Sequence, residues 1–393
     1  MFIFAGDRSK TVRRHRLFYP GGPDRKLRIF PPASVDKLPF SALDRRLLSL
    51  EQRWSLPVLA LILGAAVLAL SALGTSPQFV PVHHGKWYTV LSNNPFDWSD
   101  NYNLRFRILA PFLGYILFLR GPLFPWFMLS LLAVFLGMVY RYLRREDWRP
   151  VDALSLLLLF GFSTLTFYTY SFPGYTDSLT YVLLTLAWFA PKKQWLRVLL
   201  LALLIFNHEQ TIFLFPLLFL RWRPESWQAN DWLKHAGWFV LALVPYFIYR
   251  EIVYRISPVE YTVGYYLDPA NLAWTHEHVK DKWVYGLFQS FRLSWLVVII
   301  GLLFALQRKN WNAVLFIFLP VALAASQYYF AYDLSRLGGL AYPAFFVAID
   351  QLRKAHPTWF APLAIALVLA NFFVPAYCVG ALDPLWYGPF WMK

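Results

Sequence analysis

Two carboxylates and two arginines stand close together in one polar stretch of the sequence. Asp97 and Asp100 are followed within a few residues by Arg105 and Arg107, and an apolar run begins directly afterwards. A carboxylate can act as a general base on an acceptor hydroxyl, and arginines can hold a phosphate through paired hydrogen bonds. This interpretation predicts Asp97 or Asp100 as catalytic, with Arg105 and Arg107 at the phosphate. The alternative is a loop of solvated acids whose arginines reach toward lipid headgroups.

Further polar residues interrupt the apolar segments that follow. Asp177 opens one such segment, where it can line a site or simply cap a helix. His208 and Glu209 lie between two short apolar runs, where the alternative is a water-exposed tight turn. Asp333 and Arg336 are spaced to pair on one helical turn, and Arg336 also suits a phosphate.

These residues predict one cavity if they reach the same side of the protein. The residues assigned to phosphate binding are Arg105, Arg107, Arg336 and His208. The residues assigned to the wall of the substrate cavity are His83, His84, Asp177, Glu209 and Asp333.

The composition indicates what must position these residues. Of the 393 residues, 58% are hydrophobic, 20% aromatic and only 15% charged, whereas soluble domains carry about 25% charged residues. Apolar runs recur from Leu56 to Gly380. The fold class that we predict is an all-α polytopic membrane protein.

A spanning helix needs about 20 mainly apolar residues, and the runs favour about 11 transmembrane helices. The predicted spans are 55–73, 122–141, 151–171, 177–191, 195–207, 211–221, 236–254, 291–307, 311–331, 337–352 and 359–380. The run 108–119 is short for a span, so we predict a re-entrant or interfacial helix there.

Charge predicts the orientation. The first 54 residues hold 12 Lys or Arg, and basic residues in short segments mark the cytoplasmic side. With the tail inside and the spans alternating, the whole net charge of +15 falls on the inside. The predicted division is a basic cytoplasmic tail at 1–54, a transmembrane domain at 55–380 with outer loops 74–121 and 255–290, and a short outer tail at 381–393.

The same pattern bears on partners and cofactors. Anionic lipid is the expected partner of the basic tail, and nucleic acid is not expected. The sequence has a single cysteine, Cys378, and neither a Walker A nor a dinucleotide-binding fingerprint. His276-Glu277-His278 is a weak metal signal, because residues two apart do not face each other on a helix. No cofactor and no metal are expected, and the oligomeric state is left open.

This layout resembles the GT-C superfamily of integral membrane glycosyltransferases. The matching features are the inside tail, the first span, a long outer loop with Asp97 and Asp100 before a partly embedded helix, and a second large outer loop at 255–290. The resemblance extends over the whole chain, but it concerns the architecture and not a specific sequence match. The first outer loop lacks the adjacent pair of acidic residues that familiar members carry. It implies a sugar donor carried on polyprenyl phosphate, a loop-one Asp as base, and a bacterial inner (plasma) membrane with the active face outside.

The first hypothesis is therefore a membrane glycosyltransferase that moves a sugar from a polyprenyl-phosphate donor. Two alternatives remain open: a transporter or flippase, in which the same polar groups bind a substrate in transit, and a polysaccharide polymerase or ligase. The acids lie mainly near the outer side, which favours an enzyme over a transporter.

The loop acids give the first testable prediction. In Asp97→Asn and Asp100→Asn, sugar transfer should fall by about 10²–10⁴ in one of the two variants, because each substitution keeps the shape and removes the base. Transfer from a polyprenyl-phosphate sugar is measured beside expression and thermal stability, which should not change. Near-normal transfer in both variants would exclude a loop-one base.

Overall fold

The computed structural model describes residues 39–75, 81, 83–97, 103–226, 228–256, 267–380 and 385–387. In these ranges the chain is mainly helical. The α-helices are α1 Ser41–Arg53, α2 Leu56–Thr75, α3 His84–Leu91, α4 Leu109–Ile116, α5 Phe124–Arg145, α6 Pro150–Gly161, α7 Thr164–Ser171, α8 Asp177–Trp188, α9 Gln194–Asn207, α10 Phe215–Arg221, α11 Ala229–Ile256, α12 Pro269–Val279, α13 Trp283–Phe291, α14 Trp295–Gln307, α15 Trp311–Ser326, α16 Leu334–Gly338, α17 Pro343–Ala355 and α18 Phe360–Phe373.

Short 3₁₀ helices and one small β-ladder complete the described chain. The 3₁₀ helices are Asn103–Phe106, Gly121–Leu123, Glu209–Leu214, Lys280–Lys282, Arg292–Ser294, Gln327–Tyr329 and Gly339–Ala341. Strands β1 Ala376–Cys378 and β2 Leu385–Tyr387 pair antiparallel, with Tyr377 opposite Trp386.

Long apolar helices make this a membrane-embedded, multi-pass protein. Within the described ranges, five helical stretches are long and apolar enough to cross a bilayer, and a sixth counts if the bent pair α6 and α7 forms one span. The five are Leu56–Leu73, Gly121–Arg145, Ala229–Ile256, Pro269–Gln307 and Trp311–Tyr329. The axes of α6 and α7 differ by 52°.

The prediction of about 11 spanning helices is wrong for the part of the chain that the structure describes. The predicted span 177–191 is a helix of 12 residues, and 195–207 is one of 14. The run 211–221 divides between a 3₁₀ helix and the seven residues of α10. A hydropathy sum counts apolar residues whether or not they belong to one continuous helix. It therefore does not show where a proline or a polar residue ends a helix.

The segment 108–119 contains only the eight-residue helix α4. Eight residues rise about 12 Å, against a hydrocarbon core of about 30 Å. This length agrees with the prediction that the segment does not cross the bilayer.

Small residues bring α2 and α5 into direct backbone contact. A Cβ at Gly64 would lie 2.4 Å from the carbonyl oxygen of Ala133, and a Cβ at Gly137 would lie 2.8 Å from that of Ala60. Ala60 and Gly64, like Ala133 and Gly137, are spaced four apart, which is the small-residue pattern of close helix packing in membranes. These two helices anchor the first half of the core.

Ion pairs gather several basic segments at one end of the domain. Arg144 pairs with Glu51, and Arg149 pairs with Asp44, so helix α1 of the predicted tail lies against the start of α6. Nearby, Arg353 pairs with the buried Asp152. Further contacts, of Tyr142 with Phe189, Arg221 with Trp188 and Arg223 with Asn312, join the remaining loops that we predicted inside. We call this the basic end.

Orientation is testable by cysteine accessibility in a Cys378→Ala background. Asn94 and Arg308 are both exposed, and Arg308 follows α14 close to the basic end. Asn94→Cys should react with a membrane-impermeant thiol reagent on intact cells, and Arg308→Cys should react only after permeabilisation. The reverse pattern would overturn the positive-inside assignment.

Candidate functional site

A buried arginine and a carboxylate from distant parts of the chain form the first element of the site. Arg107 Nε donates to Glu209 Oε2 at 2.8 Å, and its Nη2 donates to Oε1 at 2.7 Å. Its Nη1 donates to the hydroxyl of Tyr88 at 3.3 Å. This planar, two-point geometry is the strong form of an arginine–carboxylate contact. All three nitrogens of Arg107 are thus engaged.

The second element surrounds Arg336, which is 4% exposed. Its Nη1 lies 3.3 Å from Asp333 Oδ2, and its Nε lies 3.7 Å from Asp177 Oδ1, beyond hydrogen-bonding distance. Its Nη2 lies 3.4 Å from Nε2 of His208. Within the described residues, Nε of Arg336 and Oδ2 of Asp177 are buried without a hydrogen-bond partner. Arg336 is therefore held by the charges of two carboxylates, but not all of its N–H donors form hydrogen bonds.

The dipeptide His208-Glu209 links the two elements. Its carboxylate holds Arg107 and its imidazole contacts Arg336. It follows α9 at a sharp turn, where Asn207 donates to the carbonyl oxygen of Thr176 at 3.0 Å and to Thr180 Oγ1 at 2.8 Å. Asn207 thus ties the end of α9 to the beginning of α8, where Asp177 lies.

Aromatic rings form one wall. Arg336 lies over Tyr168 at 5.8 Å and over Tyr175 at 5.5 Å. His84 packs on Tyr175 with ring centroids 5.8 Å apart. These cation–π distances, within about 6 Å, add to the attraction that holds the guanidinium.

Two glycines let α3 approach this wall. Gly174 has φ +94°, and a Cβ there would lie 2.7 Å from the carbonyl oxygen of Gly85. A Cβ at Gly85 would lie 2.3 Å from the carbonyl oxygen of Pro173. Only residues without a side chain permit this contact, and it places His84 beside Tyr175. The Pro-Gly pair at 173–174 is the sequence signal for this turn.

Burial and the two arginines together set the pKa values of the neighbouring side chains. Burial lowers the pKa of the His84 imidazole, and the charges of Arg107 and Arg336 lower it further, to about 4. Burial followed by Arg107 also holds the pKa of His208 well below its usual range. Burial raises the pKa of Glu209, but the Arg107 guanidinium outweighs this and sets it at about 2. At neutral pH both imidazoles are neutral and Glu209 is ionised.

Most of the residues assigned from the sequence lie in or beside this cluster. Those in direct contact or in the same charge network are His84, Arg107, Asp177, His208, Glu209, Asp333 and Arg336. His83 packs beside the wall on Phe172, with centroids 6.1 Å apart. Tyr88, Tyr168, Tyr175 and Asn207 were not assigned, because a single tyrosine among 23 gives no signal of its own and Asn207 was explained as a turn residue.

The three remaining residues assigned from the sequence are Asp97, Asp100 and Arg105. Asp97 is exposed in a turn, where its N–H donates to the carbonyl oxygen of Asn94 at 3.1 Å. Asp100 lies outside the described residues. Arg105 is buried, and its carbonyl oxygen accepts from Tyr249 of α11 at 2.9 Å. The catalytic role of Asp97 or Asp100 and the phosphate role of Arg105 stay predictions.

The histidines of the predicted second outer loop have separate partners. His278 stacks on Trp274 with centroids 4.2 Å apart, whereas His276 packs on Trp283 at 5.8 Å. No three His, Cys, Asp or Glu side chains in the described ranges stand together as a metal-ligand set. The functional interpretation therefore concerns the cluster around the two arginines.

No protein-family model, curated protein or solved structure matches this chain.

The Arg107–Glu209 pair gives a stability prediction. Glu209→Gln leaves a buried guanidinium without its counter-charge and should cost roughly 3 kcal/mol, measured as a lower Tm in detergent. The folded-state pKa is depressed from 4.5 to about 2, so the ionised carboxylate stabilises the fold above pH 4.5. That contribution is lost as the pH falls toward 2, and the two proteins should converge there.

Glu277→Gln is the matched control, because Glu277 pairs with Lys280 at 2.9 Å on an exposed helix surface. Its Tm should change little, because solvent and salt screen exposed ion pairs and leave them little net contribution to stability. Equal losses in the two variants would mean that Glu209 has no special structural role.

Proposed function

We propose that this protein is a membrane glycosyltransferase of the GT-C type that uses a sugar on a polyprenyl phosphate. The observation that carries the proposal is the buried, incompletely hydrogen-bonded Arg336 between Asp333 and Asp177, at the end of apolar helices. A guanidinium presents five N–H donors in a planar fork that matches phosphate oxygens. A lipid phosphate needs such a cation within reach of the bilayer.

The two arginines take different roles in this proposal. Arg107 has its nitrogens committed to Glu209 and Tyr88, so it fixes the His208-Glu209 turn. Arg336 has no two-point carboxylate partner, since its nearest contacts with Asp333 and Asp177 are 3.3 and 3.7 Å, so in this proposal it is the guanidinium that contacts the donor phosphate. The neutral His208 beside it supplies a further polar contact without adding charge.

Among the described acids of the cluster, Asp333 is the best placed to act as base. Its side chain is 27% exposed, against 9% for Asp177. Glu209 is bound at two points, and its pKa of about 2 makes it a weak base. Asp333 thus joins Asp97 and Asp100 as a candidate.

The proposed step is a single displacement. The carboxylate takes the proton of the acceptor hydroxyl, and the acceptor oxygen forms a bond to the anomeric carbon. The bond from that carbon to the phosphate oxygen breaks, and the polyprenyl phosphate leaves with the electron pair. Charge that develops on the leaving phosphate is stabilised by the preorganised Arg336 guanidinium.

The depth of the cluster supports a lipid-linked substrate. Helices α8 and α9 join the cluster to the basic end, since Asp177 lies at one end of α8 and Trp188, under Arg221, at the other. The 14 residues of α9 rise about 21 Å, which is less than the hydrocarbon thickness of about 30 Å. With the basic end at the cytoplasmic surface, as we propose, a site connected by such short helices would be recessed from the opposite surface, within reach of the phosphate of a membrane lipid.

The experiment separates donor binding from transfer. With purified protein in nanodiscs, Arg336→Gln should weaken binding of a polyprenyl phosphate by roughly 10–100-fold, because a charge-assisted hydrogen bond contributes about 1.5–3 kcal/mol. Arg255→Gln is the matched control, since Arg255 forms an exposed pair with Glu251. Unchanged binding in a folded Arg336→Gln variant would contradict the phosphate role.

Transfer is followed with a panel of labelled polyprenyl-phosphate sugars, read as release of polyprenyl phosphate. Asp333→Asn should lower the rate by about 10²–10⁴ with binding retained, if Asp333 is the base. A comparable loss in Asp97→Asn or Asp100→Asn, without one in Asp333→Asn, would instead assign the base to the predicted outer loop 74–121. Movement of a lipid-linked sugar across the bilayer without transfer would instead favour the flippase hypothesis.

A further inference from the structure

A second polar feature lies at the basic end, away from the Arg107–Arg336 cluster. The start of α9, the end of α10 and the start of α11 enclose an open cleft of about 540 Å³. Its lining includes five cationic side chains, those of Lys192, Arg197, Arg221, Arg223 and Lys234. We call it the basic cleft.

The basic cleft carries an excess of positive charge. Its two acids, Glu225 and Asp231, stand against five cations. Glu225 pairs with Lys192 at 2.5 Å, and Asp231 accepts a hydrogen bond from Ser226. His235 packs between Phe219 and Phe239, so it belongs to the floor of the cleft. The charge balance therefore favours an anionic ligand.

Tryptophans hold two of the arginines in place. Arg197 lies over the ring of Trp222 at 5.2 Å, and Arg221 lies over that of Trp188 at 4.9 Å. Trp222 is itself fixed, because its indole N–H donates to the carbonyl oxygen of Ala187 at 3.1 Å. Stacking restricts the guanidinium plane and thereby preorganises the cationic face.

The surroundings identify the kind of anion. Trp195 and Trp238 beside the cleft are 63% and 40% exposed, as is typical of tryptophans at a membrane interface. From the cleft, α11 continues along an exposed apolar face that includes Val240, Val244 and Phe247. A ligand that suits both parts has a phosphate at one end and acyl chains at the other.

We propose that the basic cleft binds the phosphate headgroup of an anionic phospholipid, with its acyl chains along α11. The shared chemistry is a phosphate group, which a lipid or free phosphate could supply. The adjacent apolar face favours the lipid. This inference does not depend on the glycosyltransferase proposal, because no residue of the Arg107–Arg336 cluster takes part.

The test titrates full-length protein in detergent with phosphatidylglycerol, phosphatidylcholine and inorganic phosphate, following Tm. Phosphatidylglycerol should stabilise most strongly. Arg223→Gln combined with Lys234→Gln should weaken its apparent affinity by roughly 30-fold, because each interfacial cation is worth about fivefold. Arg308→Gln, an exposed cation at the same end but outside the cleft, should leave the affinity within about twofold of that of the unmodified protein.

The outcomes separate the lipid from its alternatives. Equal stabilisation by phosphatidylcholine, or equal losses in the double variant and in Arg308→Gln, would overturn the proposal. Stabilisation by inorganic phosphate as strong as that by the lipid would assign the cleft to a free anion and overturn the lipid. If Arg223→Gln impairs folding, Lys192→Gln with Lys234→Gln removes two exposed cations of the cleft and must give the same loss.

Discussion

The cost of burying a guanidinium among apolar helices determines where the parts of this fold meet. An unpaired buried charge costs several kcal/mol, so a buried arginine must meet a carboxylate or several carbonyl groups. Arg107 and Arg336 satisfy this requirement at one end of the domain, and Arg144, Arg149 and Arg353 satisfy it at the other. Because the partners are far apart in sequence, each pair fixes the register between helices that apolar packing alone would leave loosely specified.

The buried guanidinium of Arg292 meets the same requirement without a carboxylate partner. Its Nη1 donates to the carbonyl oxygens of Asn371 at 2.5 Å and Val374 at 2.6 Å, and its Nη2 donates to that of Phe162. These carbonyls lie at the C-terminal ends of α18 and α6, where unsatisfied carbonyls and the helix dipole both favour a cation. One side chain therefore terminates two helices and joins them to α14.

Membrane class and part of the site could be predicted from the sequence, because both follow from local pattern. Apolar runs identified a helical membrane protein, and the interruption of these runs by polar residues singled out Asp177, Glu209 and Asp333, which the structure joins through Arg336 and the His208-Glu209 dipeptide. The number of spans was wrong, because apolar composition does not show where a helix breaks. The pairing of Arg107 with Glu209 could not be foreseen, since residues 102 apart meet only through the arrangement of intervening helices. The approach of Gly85 to Gly174 is equally non-local.

The docking of α1 has a consequence for how the chain is assembled during synthesis. Asp44 is separated from Arg149 by 105 residues, and at about 5–20 residues per second the ribosome needs roughly 5–20 s to make them. During that interval the amphipathic α1 has no intramolecular partner for its carboxylate, while α2 already needs the bilayer. The ion pair between α1 and Arg149 can therefore close only after the four helices α2 to α5 have been made.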